Sequence, residues 1–412
     1  MAEFKRENLQ NFVNDGAKDH PPVFIGRKEI LDCVLTKARR AGERQLGLPG
    51  NATIIQGAPG AGKSSVLSQL EIRAPMDVHA RVVKISSVYL EERIPEVVRA
   101  IAFAGASEQI QWFDLWTRLG PTWLQNLPHI KDIQIPSYTD LTDLQEKRPR
   151  STWKAPVIVA VDETQNLPSG KSSAPAKFLR FLHEGSTTLP ITLVLAGLSD
   201  TNSIIQEMGL THGVEPLSLG CFKTEELSEL TCKYCAHFGI KIGSQRNRID
   251  GLMAPTDGWP RHVYWAQQAL AAALLADGID GKADRISDWP AIYAQSETLR
   301  QGYYRTQYSD VMKRAERLTT KVMWRVAQAE ALGEGISLAE IIAEVDAACD
   351  SNKGGKFRMP LGYNEETFVT HLIHRGVLQD VTDSNAMTCP IPSFQTYILK
   401  RGGQDPSKLQ GL

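Results

Sequence analysis

Apolar positions along this chain follow two rhythms. Short, nearly unbroken apolar runs predict strands over Thr53–Gln56, Arg81–Ser86, Pro156–Glu163, Ile191–Gly197 and Val214–Leu219. The stretches between them place apolar residues three and four apart, as from Ile30 to Ala38 in "PPVFIGRKEILDCVLTKARRA", and predict helices. Strands alternating with helices build a parallel sheet covered by helices, an α/β fold. The run "PVIVAVDE" is almost wholly Val, Ile and Ala, the composition of a strand buried on both faces.

Beyond the last of these strands the pattern is helical. Thr224 to Ala276 predict a lid-like bundle, and the charged, glycine-rich "ADGIDGKADRISDWP" predicts a connection. From Tyr303 to Lys400 come the helical segments "VMKRAERLTTKVMWRVAQAEA", "SLAEIIAEVDAAC" and "NEETFVTHLIHRGVL", then a strand-like end, "MTCPIPSFQTYIL". Three helices with a terminal hairpin predict a winged helix. The expected division is a polar N-terminal arm at 1–20, a core at 21–222, a helical lid at 223–300, a winged-helix-like domain at 301–400 and a tail at 401–412. The core contains a long Trp-rich insertion, about 88–155, in which Trp112 and Trp116 lie one helical turn apart, followed by Trp123 and Trp153. Such a stripe anchors an inserted helix on the body, or offers a surface to a protein partner or to stacked bases.

Composition narrows the class without choosing a function. With 412 residues, 42% hydrophobic and 23% charged, the chain has enough apolar residues for more than one core. A formal net charge of -1 argues against a protein coated in nucleic acid, though not against one basic face. The charged start lacks the apolar run of a signal peptide, and "ALAAALLA" near Leu270 is too short to span a membrane, so a cytoplasmic protein without membrane contact is expected. Six scattered cysteines fit reduced thiols. Cys232 and Cys235 form a C-x-x-C, but within a helical pattern and without a second ligand pair, so core packing is expected there rather than zinc.

The chemistry begins where the first strand runs into "GAPGAGKS", Gly57 to Ser64, a G-x-x-x-x-G-K-[ST] loop. Gly57, Gly60 and Gly62 let successive backbone N–H groups turn inward onto phosphate oxygens. Lys63 then reaches the terminal phosphates, Ser64 is placed to ligate Mg²⁺, and the following helix adds its positive end. Nucleotide binding is the expectation. Asp162 and Glu163 close the third predicted strand. There an aspartate can hold the Mg²⁺ shell while a glutamate polarises the attacking water; the alternative is a pair of acids at a helix N-terminus.

At this point the chain resembles a family. "FIGRKE" (Phe24–Glu29), the loop, "VIVAVDE" and "GWPR" (Gly258–Arg261) occur in the order and spacing of AAA+ and related P-loop ATPases. Among these it is most similar to the initiator-type and signal-transduction (STAND) branches, including origin-recognition-like and transposition ATPases, and "DETQNL" is close to the D-E-A-Q-N-L of transposition-type members. The resemblance spans roughly Pro21 to Leu275 and implies an AAA+-like ATPase core with a helical lid and a C-terminal winged helix. It implies that Val23, Phe24, Ile25, Gly26 and Arg27 lie near adenine. Gly57, Ala58, Pro59, Gly60, Ala61, Gly62, Lys63, Ser64 and Ser65 would hold phosphate, with Ser64 and Asp162 serving Mg²⁺. Lys63, Glu163 as base, Ser199 as polar sensor (with Asp200 or Asn202 as alternatives) and Arg261 as second sensor would carry catalysis on ATP.

One departure qualifies this. Oligomeric members place an arginine between the fourth and fifth strands, to complete a neighbour's site; here "SDTNSIIQEMGLTHGVEPLSLG" contains no arginine or lysine. His212 sits near the expected position, and Arg180 in "AKFLRFLHE" is the alternative. The expected function is therefore a slow, Mg-dependent ATPase that loads or regulates a DNA process. Duplex DNA would meet the winged helix through Lys353, Lys356, Arg358, His371, His374 and Arg375, with self-association possible. The second reading is a STAND-like switch whose ATP or ADP state is read by a protein partner, for which the Trp-rich insertion is the candidate surface.

Overall fold

A computed structural model describes residues 3–14, 21–43, 51–105, 155–168, 170–186, 190–276, 278–309, 311, 315–350, 356–381 and 386–404. The tryptophans at 112, 116, 123 and 153, and Lys353, lie outside the described residues. The first elements in chain order are α1 (Arg6–Asn14), α2 (Lys28–Glu43), β1 (Ala52–Gln56), α3 (Lys63–Val78), β2 (Arg81–Ser86), α4 (Leu90–Gly105) and β3 (Val157–Asp162). Next come α5 (Ala174–Gly185), β4 (Ile191–Gly197), α6 (Thr201–Glu207), β5 (Val214–Ser218), α7 (Thr224–Phe238), α8 (Arg246–Met253) and α9 (Pro260–Leu274). The last are α10 (Trp289–Gln307), α11 (Glu316–Ala331), α12 (Leu338–Cys349), α13 (Glu365–His374), β6 (Gln379–Val381), β7 (Ala386–Thr388) and α14 (Pro392–Arg401). The chain divides into two compact units: Arg27–Gln56 with Lys63–Leu219, and Met1–Gly26 with Gly57–Gly62 and Gly220–Leu412.

The first unit holds the predicted parallel sheet, in the order β2-β3-β4-β1-β5. Every residue of β1, β3 and β4 is buried, because each of these strands has a neighbour on both sides and helices on both faces. Each fully buried Val, Leu or Ile contributes roughly 1.5–3 kcal/mol of transfer free energy, and the core of this unit runs from Ile54 through Val159 and Leu193 to Phe178 and Leu182. β5 is an edge strand and is mostly exposed. It can therefore carry Pro216, which has no N–H for a ladder, and Glu215, which pairs with Lys37 at 2.8 Å. The helix α5 starts where Ser173 accepts a hydrogen bond from the Ala176 amide at 3.2 Å, with Pro175 in its first turn. The register sets Gln56 beside Gly197 and Ser86 beside Asp162, so the carboxyl ends of the central strands line up at one edge of the sheet. That edge is where open parallel sheets bind ligands.

The second unit is helical apart from its terminal hairpin. Its main core joins Tyr234 and Phe238 of α7, Ile249 and Leu252 of α8, Val263 and Leu270 of α9, and Trp289 of α10. The expected polar arm proves to be partly structured: α1 sends Leu9 and Phe12, three residues apart, into this core. Phe12 meets Tyr234 edge-on at 5.5 Å. Polar residues around these two positions hide a two-point apolar anchor from a composition reading. The expected lid boundary at residue 300 falls inside α10, which runs without interruption to Gln307. Cys235 is buried in the helix α7, and Cys232 is exposed.

The C-terminal region has winged-helix order. α11 is followed by an isolated antiparallel bridge between Ser337 and Ala386, then α12, α13 and the antiparallel hairpin β6-β7. Ser337 and Glu340 form a capping box that starts α12, and Asn364 caps α13 through the Thr367 amide at 2.8 Å. The strand expected through "PSFQTYIL" is instead the helix α14. Pro392 fits its first turn, and Phe394 and Ile398, four residues apart, fall on one buried face. Among the described residues no helix is long and apolar enough to cross a membrane.

Candidate active site

In the sheet unit the chemistry gathers at the carboxyl edge. Lys63 opens α3 and is only 7% exposed. Burial pushes its ammonium pKa down, while the nearby carboxylates of Glu163, first, and Asp162 push it back up. Asp162 ends β3 and is also buried. Its carboxylate accepts a hydrogen bond from the Glu163 amide at 2.9 Å, which turns the chain sharply. Glu163 adopts a left-handed conformation, φ 56°, unusual for a non-glycine residue and common at functional turns. Ser87, just past β2, donates to the Glu163 carbonyl at 2.7 Å and holds that turn. The Glu163 carboxylate is exposed and accepts from the Gln165 side-chain amide, whose oxygen in turn accepts from the Leu198 amide at 3.2 Å.

Ser199 follows β4, and its hydroxyl is buried without a hydrogen-bond partner among the described residues. Ser64 and Ser65, in the first turn of α3, are half-buried, as is Asn202 in α6. Arg180 donates to the Lys171 carbonyl at 2.7 Å and packs beside Gly209, while His212 is exposed.

In the helical unit the loop residues have partners of their own. Gly60 has φ +88°, and a Cβ built on it would lie 2.8 Å from the Arg261 Cβ and 3.0 Å from the Trp259 indole nitrogen. Only glycine fits there, by conformation and by space. The Arg261 amide donates to the Gly60 carbonyl at 3.2 Å, and the Tyr303 hydroxyl donates to the Pro59 carbonyl at 2.9 Å. The Arg261 guanidinium lies over the Trp265 ring at 6.0 Å. Gly376, after α13, has Ala58 and Pro59 where a side chain would stand. The Trp259 indole nitrogen is fully buried and unpartnered among the described residues. Val23 and Ile25 pack on the helical core, and Gly26, φ +71°, is closed in by Glu226 and Phe222. Arg27 belongs to the sheet unit, where its carbonyl caps α2 through the Leu31 amide at 3.1 Å.

The sheet edge thus brings Lys63, Asp162 and Glu163 into electrostatic contact, with the Ser199 hydroxyl at the tip of the adjoining strand. Val23–Gly26, the loop glycines and Arg261 are organised within the helical unit. Gln165 and Trp259 sit inside "DETQNL" and "GWPR", but their side chains matter for what they reach, which spacing does not report. Tyr303 and Gly376 had no local signal at all, because both act on residues hundreds of positions away.

These residues fit a magnesium-bound nucleoside triphosphate. Within the sheet unit, a buried ammonium beside two carboxylates, and a serine hydroxyl with no partner among the described residues, have the chemistry to meet phosphate and metal.

No protein-family model matches the chain, and no curated protein matches it in sequence. Solved structures do resemble it in fold. The ORC2 protein of Aeropyrum pernix is 15% identical, with 95% of this chain and 98% of that one covered and a TM-score of 0.46. Cdc6p from Pyrobaculum aerophilum is 14% identical, over 95% and 98% of the two chains, at 0.41. RuvB of Thermotoga maritima, in its P216G mutant, is 13% identical over 91% and 96%, at 0.40.

Proposed function

We propose that the chain binds ATP with Mg²⁺, hydrolyses it slowly, and uses the nucleotide state to regulate a DNA process through its C-terminal winged helix. The observation that carries this reading is the buried Lys63 ammonium flanked by Asp162 and Glu163 at the carboxyl edge of the sheet. Lys63 would neutralise the terminal phosphates, and its burial makes each such contact stronger than it would be in water. Ser64 and Asp162 would hold Mg²⁺, which when bound draws off charge from the phosphate oxygens. Glu163, exposed at its turn, would take the proton of the attacking water. Ser199 offers an unused hydroxyl to the phosphate side, and Arg261 would report the terminal phosphate to the lid.

Slow turnover follows from residues, not from fold. The interval 198–220 has no arginine or lysine, and Arg180 is already bonded to a backbone carbonyl. No cation in that interval stands ready to stabilise transition-state charge. The same gap favours the second reading, a STAND-like switch read by a protein partner. Support for DNA comes from the winged-helix order and from exposed Lys356 and Arg358 ahead of α13.

The test is ATP turnover per chain as protein concentration rises, without and with duplex DNA. A rise with concentration or DNA supports the loader; slow, flat turnover supports the switch. Lys63→Ala should weaken ATP binding about 10- to 100-fold, the worth of a charged hydrogen bond. Glu163→Gln should keep binding and lose about 10²–10⁴-fold in turnover. Undiminished turnover in Glu163→Gln would remove it as the base.

A further inference from the structure

The side chain of Gln165 spans two strand tips. Its amide oxygen accepts the Leu198 backbone N–H at 3.2 Å, just after β4, and its amide nitrogen donates to the Glu163 carboxylate, just after β3. The amide has one orientation that satisfies both ends, since a backbone N–H needs an acceptor and a carboxylate needs a donor. Two features build the bridge in. Gly197 leaves room for it and for the Thr201 hydroxyl: a Cβ there would run into that hydroxyl and stand 2.7 Å from the Gln165 amide oxygen and 3.3 Å from its backbone nitrogen. Thr164, buried, donates to the Val161 carbonyl at 3.1 Å and fixes the turn from which Gln165 projects.

We propose that Gln165 is a positioning residue, an amide strut that holds the Glu163 carboxylate in one orientation and ties it to the backbone just before Ser199. The inference rests on the reading of Glu163 as the base of an ATPase. Glu163 sits on an exposed left-handed turn, where an unsupported carboxylate would sample several rotamers. One charge-assisted hydrogen bond to a side chain anchored on the next strand removes that freedom. Because the other end of the strut is the Leu198 amide, a shift at the tip of β4 moves the carboxylate as well. The strut therefore gives the Ser199 strand a mechanical hold on the base.

Two substitutions separate the two ends. Gln165→Ala removes both bonds; Gln165→Glu keeps an acceptor for the Leu198 N–H but sets a carboxylate against Glu163. In the full chain, amide hydrogen exchange at Leu198 and steady-state turnover across pH are measured for both. Gln165→Ala should lose Leu198 protection and about 10-fold or more in kcat, with KM for ATP unchanged. Gln165→Glu should retain the protection, lose kcat, and move the acidic limb of the pH–rate profile to higher pH, because like charges oppose each other. Wild-type kcat in Gln165→Glu, or a change confined to KM, would overturn the positioning role. Unchanged Leu198 exchange in Gln165→Ala would overturn the strut itself. Should the wild-type chain turn over no ATP, the ATPase reading falls and the role of Gln165 as a positioner of the base falls with it, whereas Leu198 exchange still decides whether the strut exists.

Discussion

The two units of this chain bury different kinds of matter. In the sheet unit the central strands are largely aliphatic, with Thr53 and Thr192 as buried exceptions, and the charged groups stand at the carboxyl edge, where Lys63, Asp162 and Glu163 meet. In the helical unit the interior is full of aromatic residues with polar ends: Tyr234, Trp259, His262, Trp289, Tyr304 and Tyr308 are all buried. Some of those ends are satisfied, as when Tyr234 donates to the Gln267 carbonyl at 3.1 Å. Others have no partner among the described residues, including the indole nitrogens of Trp259 and Trp289. An aliphatic core is indifferent to pH and fixes a rigid platform. A core of amphipathic rings is stabilised by directional contacts, each sensitive to a single atom.

Breaking the aliphatic core should produce the largest effect. Ile54→Ala, in the middle of β1, is expected to cost about 2–5 kcal/mol in urea unfolding, by the same amount at pH 7 and pH 5. A deficit that changed with pH would place a titrating group in that core and spoil the contrast. The next effect belongs to His262. Burial, and then the charge of Arg300, push its pKa down to about 3, and its Nδ1 lies 3.2 Å from the Ser393 hydroxyl. Its folded pKa is below the unfolded value, so the unfolded chain binds the extra proton between the two. Stability is therefore full above about pH 6.5 and lost as pH falls toward 3, at about 1.4 kcal/mol per pH unit. His262→Gln should flatten that slope between pH 6.5 and pH 5; an unchanged slope would assign it to another group. The smallest effect is Tyr303→Phe, which removes only the bond to the Pro59 carbonyl. About 1 kcal/mol in unfolding free energy is expected.

The same contrast explains what could be read in the sequence. The five strands were legible because aliphatic runs bounded by turns state their own burial, and the acids Asp162 and Glu163 close the third run without any tertiary information. The order of the strands was not legible, and the sheet places β4 between β3 and β1. Leu9 and Phe12 were not legible, because two apolar residues in a polar segment carry no periodicity strong enough to declare a helix. Nor was α14: "PSFQTYILKR" alternates enough to suggest a strand, and its packing, with Phe394 stacked on Tyr308 at 4.0 Å, decides the matter. In the site, the loop and the acids announced themselves through composition and spacing. Gln165 and Tyr303 did not, since their meaning lies in the far partner each one reaches.

The bond from Tyr303 to Pro59 spans 244 residues of chain. During synthesis the phosphate loop therefore leaves the ribosome long before the hydroxyl that ties its carbonyl has been made, and Gly376, which fits against Ala58 and Pro59, comes later still. Contacts of such sequence separation form late, because the intervening chain must first be ordered. A nascent chain made only as far as Leu219 would present the motif without its final shape. The chain is thus built so that the Gly57–Ser64 loop takes its final shape only after Tyr303 and Gly376 have been made.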